Sequence, residues 1–382
     1  MIGLGAAGYR SPMARPPSDA DRDFSKRLQT LGLGATPQRV QTLREVGLLP
    51  APTPAFPGGG GSSGRYPSDL VERAAEALEL AHEHHRELHL AVAVMYARGK
   101  YSISEAKLKR ALLRVLDRYK RELLIAAEDE DKPGSLEEPA IAAGIVLAKR
   151  LDRDPEFGEQ RRRIARSKTR TKRAVLETVS TSVVQTLLTG EAPHDEAVEE
   201  IFRILGFPDG LTKAIVAEPA EQAGSDDFSH FRFDDVALAV KRASLAQLEA
   251  VRGDAIVQLD NYRAMEASIP LLFAKSKATA LKFPITDETT ILAALTNLAA
   301  MFNDSDSYEE QIAHVRRMTP FLYALVEFKC FLPAEFKSMV LFDETLHDTQ
   351  LTTGERQRLN KLKAEYARQY PMQARILGLQ LQ

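Results

Sequence analysis

The sequence predicts a mainly all-α protein with one small β wing near its N-terminus. Three observations carry that prediction. Ala, Leu, Glu, Lys and Arg dominate the 382 residues, and all of them favour helix. Trp is absent and aromatic residues make up only 7% of the chain. Apolar residues recur at helical spacing through most of its length, and only the stretch around 48–66 reads as short extended segments about a loop. The expected architecture is an N-terminal winged helix-turn-helix followed by a multi-helix C-terminal region. With 44% hydrophobic and 27% charged residues, a buried core is within reach.

Residues 1–22 read as a flexible arm, punctuated by Pro12, Pro16 and Pro17. Gly3, Gly5 and Gly8 fit a G-x-G-x-x-G pattern. That pattern holds a dinucleotide only between a strand and a helix, and no strand is expected ahead of Gly3. The span 23–127 is expected to form one domain. Asp23–Leu31 is a short amphipathic helix with Phe24, Leu28 and Leu31 on one side, ended by Gly32 and Gly34. Thr36 is a natural N-cap and Pro37 suits the first helical position. The next helix runs from Pro37 to Val46, with Val40, Leu43 and Val46 inward. Gln38, Arg39, Gln41, Thr42 and Arg44 are expected outside, and Gly47 stops the helix.

This unit presents amide, hydroxyl and guanidinium groups near the start of its second helix. Such groups read base edges or hold phosphates. An ordinary helical hairpin with a polar face has the same spacing. After Leu48, Leu49 and Pro50, a loop with Pro52, Pro54 and Pro57 leads to Gly58–Gly61, Ser62, Ser63 and Gly64, and Arg65 and Tyr66 close it. A proline-flanked glycine loop between extended segments reads as a wing, with Arg65 on a phosphate. A linker has the same composition.

The residues Thr42-Leu43-Arg44, Gly47-Leu48-Leu49-Pro50 and Gly64-Arg65-Tyr66 resemble the winged helix of MerR-type transcription regulators. The resemblance covers roughly residues 24–112. It departs from the family where Glu45 and Val46 replace an aromatic pair, where the wing is long and glycine-rich, and where Arg65 and Tyr66 are adjacent. It implies a DNA-binding set of Thr36, Gln38, Arg39, Gln41, Thr42, Arg44, Arg65 and Tyr66. Gln38, Arg39, Gln41 and Thr42 would lie in the major groove, Arg44 and Arg65 on phosphates, and Tyr66 would anchor the wing. It also implies a homodimer.

Ser68 is expected to cap a helix from Asp69 to His89, and a second runs from Leu90 to Arg98. His82, His85 and His89 have the i+3 and i+4 spacing of a metal pair, but nothing else in the sequence converges on them, so polar-face or packing roles compete. Ser102–Glu105 reads as a capping box opening a helix over 103–127. Residues 128–139 are acidic, broken by Pro133 and Gly134, and form the expected linker. Residues 140–382 are expected to form an all-helical regulatory or assembly region, with a loop or second boundary over 218–233. The basic run Arg161–Arg173 could hold phosphates or form a solvated helix face. Later helices are expected over 234–251, 254–278, 286–303, 308–328, 334–347 and 353–368. Ser307–Glu310 and Thr352–Glu355 match the capping-box pattern.

The formal net charge is −2, so any nucleic-acid role rests on local clusters. Cys330 is the single cysteine; it excludes an intrachain disulfide and a cysteine zinc cage. No membrane-length apolar run or signal peptide is evident, and the cytoplasm is the default location. No P-loop or H-E-x-x-H motif occurs, and His230 and His347 stand apart, so no enzyme and no cofactor are expected. The leading expectation is a transcription regulator on double-stranded DNA, with a small-molecule or protein effector at its C-terminal region. The rivals are a helical interaction or scaffold protein and a mobile-element repressor or excisionase-like factor.

Overall fold

The computed structural model describes residues 16–54, 64–84, 87–128, 231–272, 286–333, 336 and 352–379. The glycine-rich loop tip, His85, the acidic linker, the basic run, His230 and His347 lie outside the described residues, as do the helices expected between 140 and 217. Among the described residues there are eleven helices and one two-stranded ribbon. The chain divides into two compact units, residues 1–115 and 116–382.

The first unit opens with α1 (Asp19–Thr30). It starts earlier than Asp23 because Ser18 and Asp21 form a reciprocal capping box that nucleates the first turn. The expected arm therefore gives up Asp19–Arg22 to helix. Two bonds close its C-terminus, from Gly32 N–H to the Gln29 carbonyl and from Leu33 N–H to the Leu28 carbonyl; this is the Schellman arrangement. Helix α2 (Pro37–Val46) has the expected limits, with the Thr36 hydroxyl accepting from Arg39 N–H and Gly47 at the C-terminal stop. Gly47 sits at φ 107°, a left-handed conformation that disfavours a side chain.

Strands β1 (Thr53–Pro54) and β2 (Gly64–Arg65) pair antiparallel, with Thr53 opposite Arg65. Helix α3 (Leu70–Glu83) starts without a side-chain cap, so Ser68 does not play that part. It ends at Glu83 with His84 as its C-cap, well short of His89. The apolar α4 (Leu88–Arg98) buries every residue from Leu90 to Ala97 and packs against both α2 and α3. Helix α5 (Glu105–Glu128) begins after Ser102 and Ile103, because the Ser104 carbonyl accepts the first helical bond, from Leu108.

The second unit contains α6 (Phe233–Arg242), α7 (Leu245–Leu272), α8 (Asp287–Asn303), α9 (Ser305–Phe331), α10 (Thr353–Gln369) and α11 (Pro371–Ile376). The break between α6 and α7 falls at Ala243–Ser244, not at 252–253. Ser244 and Gln247 exchange capping bonds there, whereas Gly253 continues the helix. Helix α9 starts before Ser307, because the Asp304 carboxylate caps it by accepting from Ser307 N–H. Thr352 and Glu355 form the expected capping box of α10.

A polar seam joins α7 to α9. Tyr308 and Arg316 donate to Asp254 at 2.7 and 2.6 Å, and Thr319 donates to Asn261 at 3.1 Å. Later α9 residues meet later α7 residues, so the two helices run parallel, with α8 returning the chain between them. At the C-terminal end, Tyr366 is fully buried among Phe328, Leu332 and Phe336, with ring centroids 4.9 Å apart at Phe328. Burial pushes the Tyr366 phenol up to about 12.

Candidate nucleic-acid interface

The candidate site is built on a buried carboxylate. The Asp21 side chain has no exposed surface. Ser18 Oγ donates to Oδ2 at 2.6 Å. Arg44 donates from Nε to Oδ1 at 3.2 Å and from Nη2 to Oδ2 at 2.9 Å. Tyr66 Oη donates to Oδ1 at 2.8 Å. Burial pushes the Asp21 carboxyl up, but the hydrogen bonds from Ser18, Tyr66 and Arg44 outweigh it and hold the group below the usual carboxylate range. Burial and the same carboxylate push the Tyr66 phenol up.

One residue thus joins α1, α2 and the end of the β-ribbon. Tyr66 also stacks on Phe24, with centroids 4.6 Å apart. Arg27 donates to the carbonyls of Tyr66 and Pro67 at 3.4 and 2.7 Å. A second buried cation holds the chain beyond α2. Arg73 donates to the carbonyls of Gly47, Leu48 and Ser102 at 3.2, 2.7 and 3.0 Å. Lys107 Nζ donates to the Arg44 carbonyl. Its ammonium is pushed down by burial and by the neighbouring Arg44, Arg110 and Arg73.

Against this frame the predicted site residues separate. Gln38 is exposed on α2, and Thr42, one turn on, is half-exposed. The Thr42 hydroxyl donates to the Gln38 carbonyl at 2.9 Å, leaving its oxygen as an acceptor. Thr36 is exposed and capping. Arg65 is exposed on β2. Arg39 lies on the flank of α2 toward α3, where its Nη2 is 3.4 Å from the Ala81 carbonyl.

Two residues are not where they were expected. Gln41 is only 3% exposed and donates to Glu45 at 2.7 Å. Helices α1 and α4 both pack on α2, so the covered arc is wider than the Val40–Leu43 stripe. Arg44 turns inward to Asp21, since pairing there compensates a carboxylate that burial would otherwise penalise. It is therefore a brace of the fold and not a free phosphate ligand.

Sequence reasoning missed Asp21, Arg73 and Lys107. Asp21 had a readable signal, Ser18-x-x-Asp21. Arg73 had one as well, because it shares the α3 stripe of Ala77 and Leu80. Among the described residues no group of three His, Cys, Asp or Glu could hold a metal. No described helix is long and apolar enough to cross a membrane.

Fold and site together define the class only as a mainly helical protein with one short β-ribbon braced against its N-terminal helices. No family model, curated protein or solved structure matches the chain.

Proposed function

We propose that the first unit reads double-stranded DNA, with α2 in the major groove and the β-ribbon on the backbone, as the N-terminal part of a MerR-like transcription regulator. The observation that carries this reading is the division of labour on α2. Its inner residues Val40, Gln41 and Leu43 are buried, and Arg44 is tied to Asp21. Its outer arc leaves Gln38 and Thr42 outward, with Arg39 beside them. An amide suits adenine, a threonine methyl suits the thymine methyl, and guanidinium suits guanine or phosphate. The ribbon holds Arg65 exposed on the segment anchored by Tyr66, a placement suited to a phosphate. In this reading Gln41 and Arg44 support the surface without touching DNA. The second unit senses an effector or mediates assembly.

Equilibrium binding to a selected duplex tests this. Arg39→Ala and Arg65→Ala are each expected to weaken binding by about tenfold, about 1.4 kcal/mol, with helicity retained. Gln38→Ala is expected to relax preference at one base position. Unchanged affinity in both arginine variants overturns the assignment. A second reading, a protein-interaction module, draws on the exposed Glu45 carboxylate of α2 and on Leu31, 57% exposed at the neighbouring turn.

A further inference from the structure

Between the α1–α2 turn and α3 lies an open cleft of about 780 Å³, lined among others by Gly32, Leu33, Arg39, Leu78, Glu79 and His82. Its volume falls in the range of small-ligand sites. Its charges are unusual in being unspent. Among the described residues, Arg39 has only the long side-chain contact to the Ala81 carbonyl, and Glu79 has no hydrogen-bond or ion-pair partner. The two line the same cleft without pairing with each other.

We propose that this cleft binds a short zwitterionic peptide, with its carboxylate on Arg39, its ammonium on Glu79 and its apolar side chains against Leu33 and Leu78. A simple anion would meet the Glu79 carboxylate, and a simple cation would meet Arg39; a ligand carrying both charges satisfies the two walls together. Guanidinium binds a carboxylate through two parallel bonds, which orients the peptide. A tripeptide offers apolar side chains to Leu33 and Leu78 as well as a charge at each end.

The site also bears on DNA, and this part rests on the reading above. Arg39 is a proposed groove contact and the cation of the cleft. A bound carboxylate holds it on the α3 side, where it already meets the Ala81 carbonyl, so peptide and DNA compete for one guanidinium. The coupling is reciprocal: DNA weakens the peptide by the same factor.

The test uses the full chain and a tripeptide of leucine and alanine with both termini free, against the same tripeptide acetylated and amidated. Titration followed by amide chemical shifts is expected to give saturable changes at Gly32, Leu33, Leu78 and His82 for the free peptide alone. Arg39→Gln and Glu79→Gln are each expected to weaken it by about tenfold. Glu79 is exposed, so its variant folds normally and keeps the test valid if the arginine variant does not. Absence of saturation, equal affinity for the blocked peptide, or wild-type affinity in Glu79→Gln overturns the site. In the second arm, saturating peptide is expected to lower affinity for a selected duplex; unchanged affinity overturns the coupling. Peptide binding without any DNA binding sinks the DNA reading and the coupling and leaves the site standing.

Discussion

Asp21 decides how the candidate surface is held. A fully buried carboxylate is costly without compensation, and here Ser18, Arg44 and Tyr66 supply it from three segments. Asp21→Asn is expected to destabilise the first unit by about 3 kcal/mol, read as lost hydrogen-exchange protection in α2. The folded group is held below its ordinary value, so its contribution is complete above the unfolded value of about 3.9. It is lost as pH falls through the lowered folded value. Protection in α2 should therefore drop below about pH 4 in the native chain and flatten in Asp21→Asn; a parallel pH dependence in both would contradict the assignment. Gly47→Ala is a second case. Its φ is 107°, and an added Cβ would stand 3.0 Å from Lys107 Cβ. A loss of at least about 1 kcal/mol is expected in denaturant unfolding. The Ser18 contact of the brace is legible in sequence as a capping box. The Arg44 and Tyr66 contacts are not, because those partners lie 23 and 45 residues away and no local spacing encodes them. Gln41 was misread for a related reason: its burial is imposed by α1 and α4, not by its own helix.

Helix limits follow caps more closely than apolar spacing. The Pro37–Val46 helix was fully legible, because Thr36, Pro37 and Gly47 are local signals whose geometry the rest of the unit leaves alone. The break expected between 251 and 254 falls earlier, because Ser244–Gln247 closes a cap that starts α7. Gly253 is then a mid-helix glycine with open space where a Cβ would stand. Gly253→Ala is expected to stabilise the second unit by about 0.5–1 kcal/mol, measured as a shift in the thermal midpoint; a loss would show that α7 is interrupted there after all. Helix α9 carries Pro320 inside it, which removes the N–H that would bond to the Arg316 carbonyl. The single hydroxyl proton of its neighbour Thr319 is shared between the Val315 carbonyl at 2.9 Å and Asn261 Oδ1 at 3.1 Å, so the polar seam with α7 lies beside the turn that lacks this backbone bond. The seam was illegible in sequence, since Asp254 and Asn261 look like solvated positions until α9 lies beside them.

At the scale of the molecule, the mainly helical class of the described residues was readable from composition and periodicity, because helix signals are local. The candidate surface was readable only in outline. Residue types on α2 and the ribbon were visible, while the separation of Gln38, Arg39, Thr42 and Arg65 from the inward Gln41 and Arg44 required the fold. A net charge of −2 supplies no general attraction to nucleic acid, so the proposed binding rests on local groups such as these. The central claim is that this set reads DNA. It is tested most directly by selection of fragments from random duplex DNA with the full chain, followed by affinity measured against salt. The expected result is an enriched sequence motif, affinity that falls steeply with salt, and loss of enrichment in Arg39→Ala. Absence of enrichment, with wild type and Arg39→Ala recovering the same DNA, would contradict it.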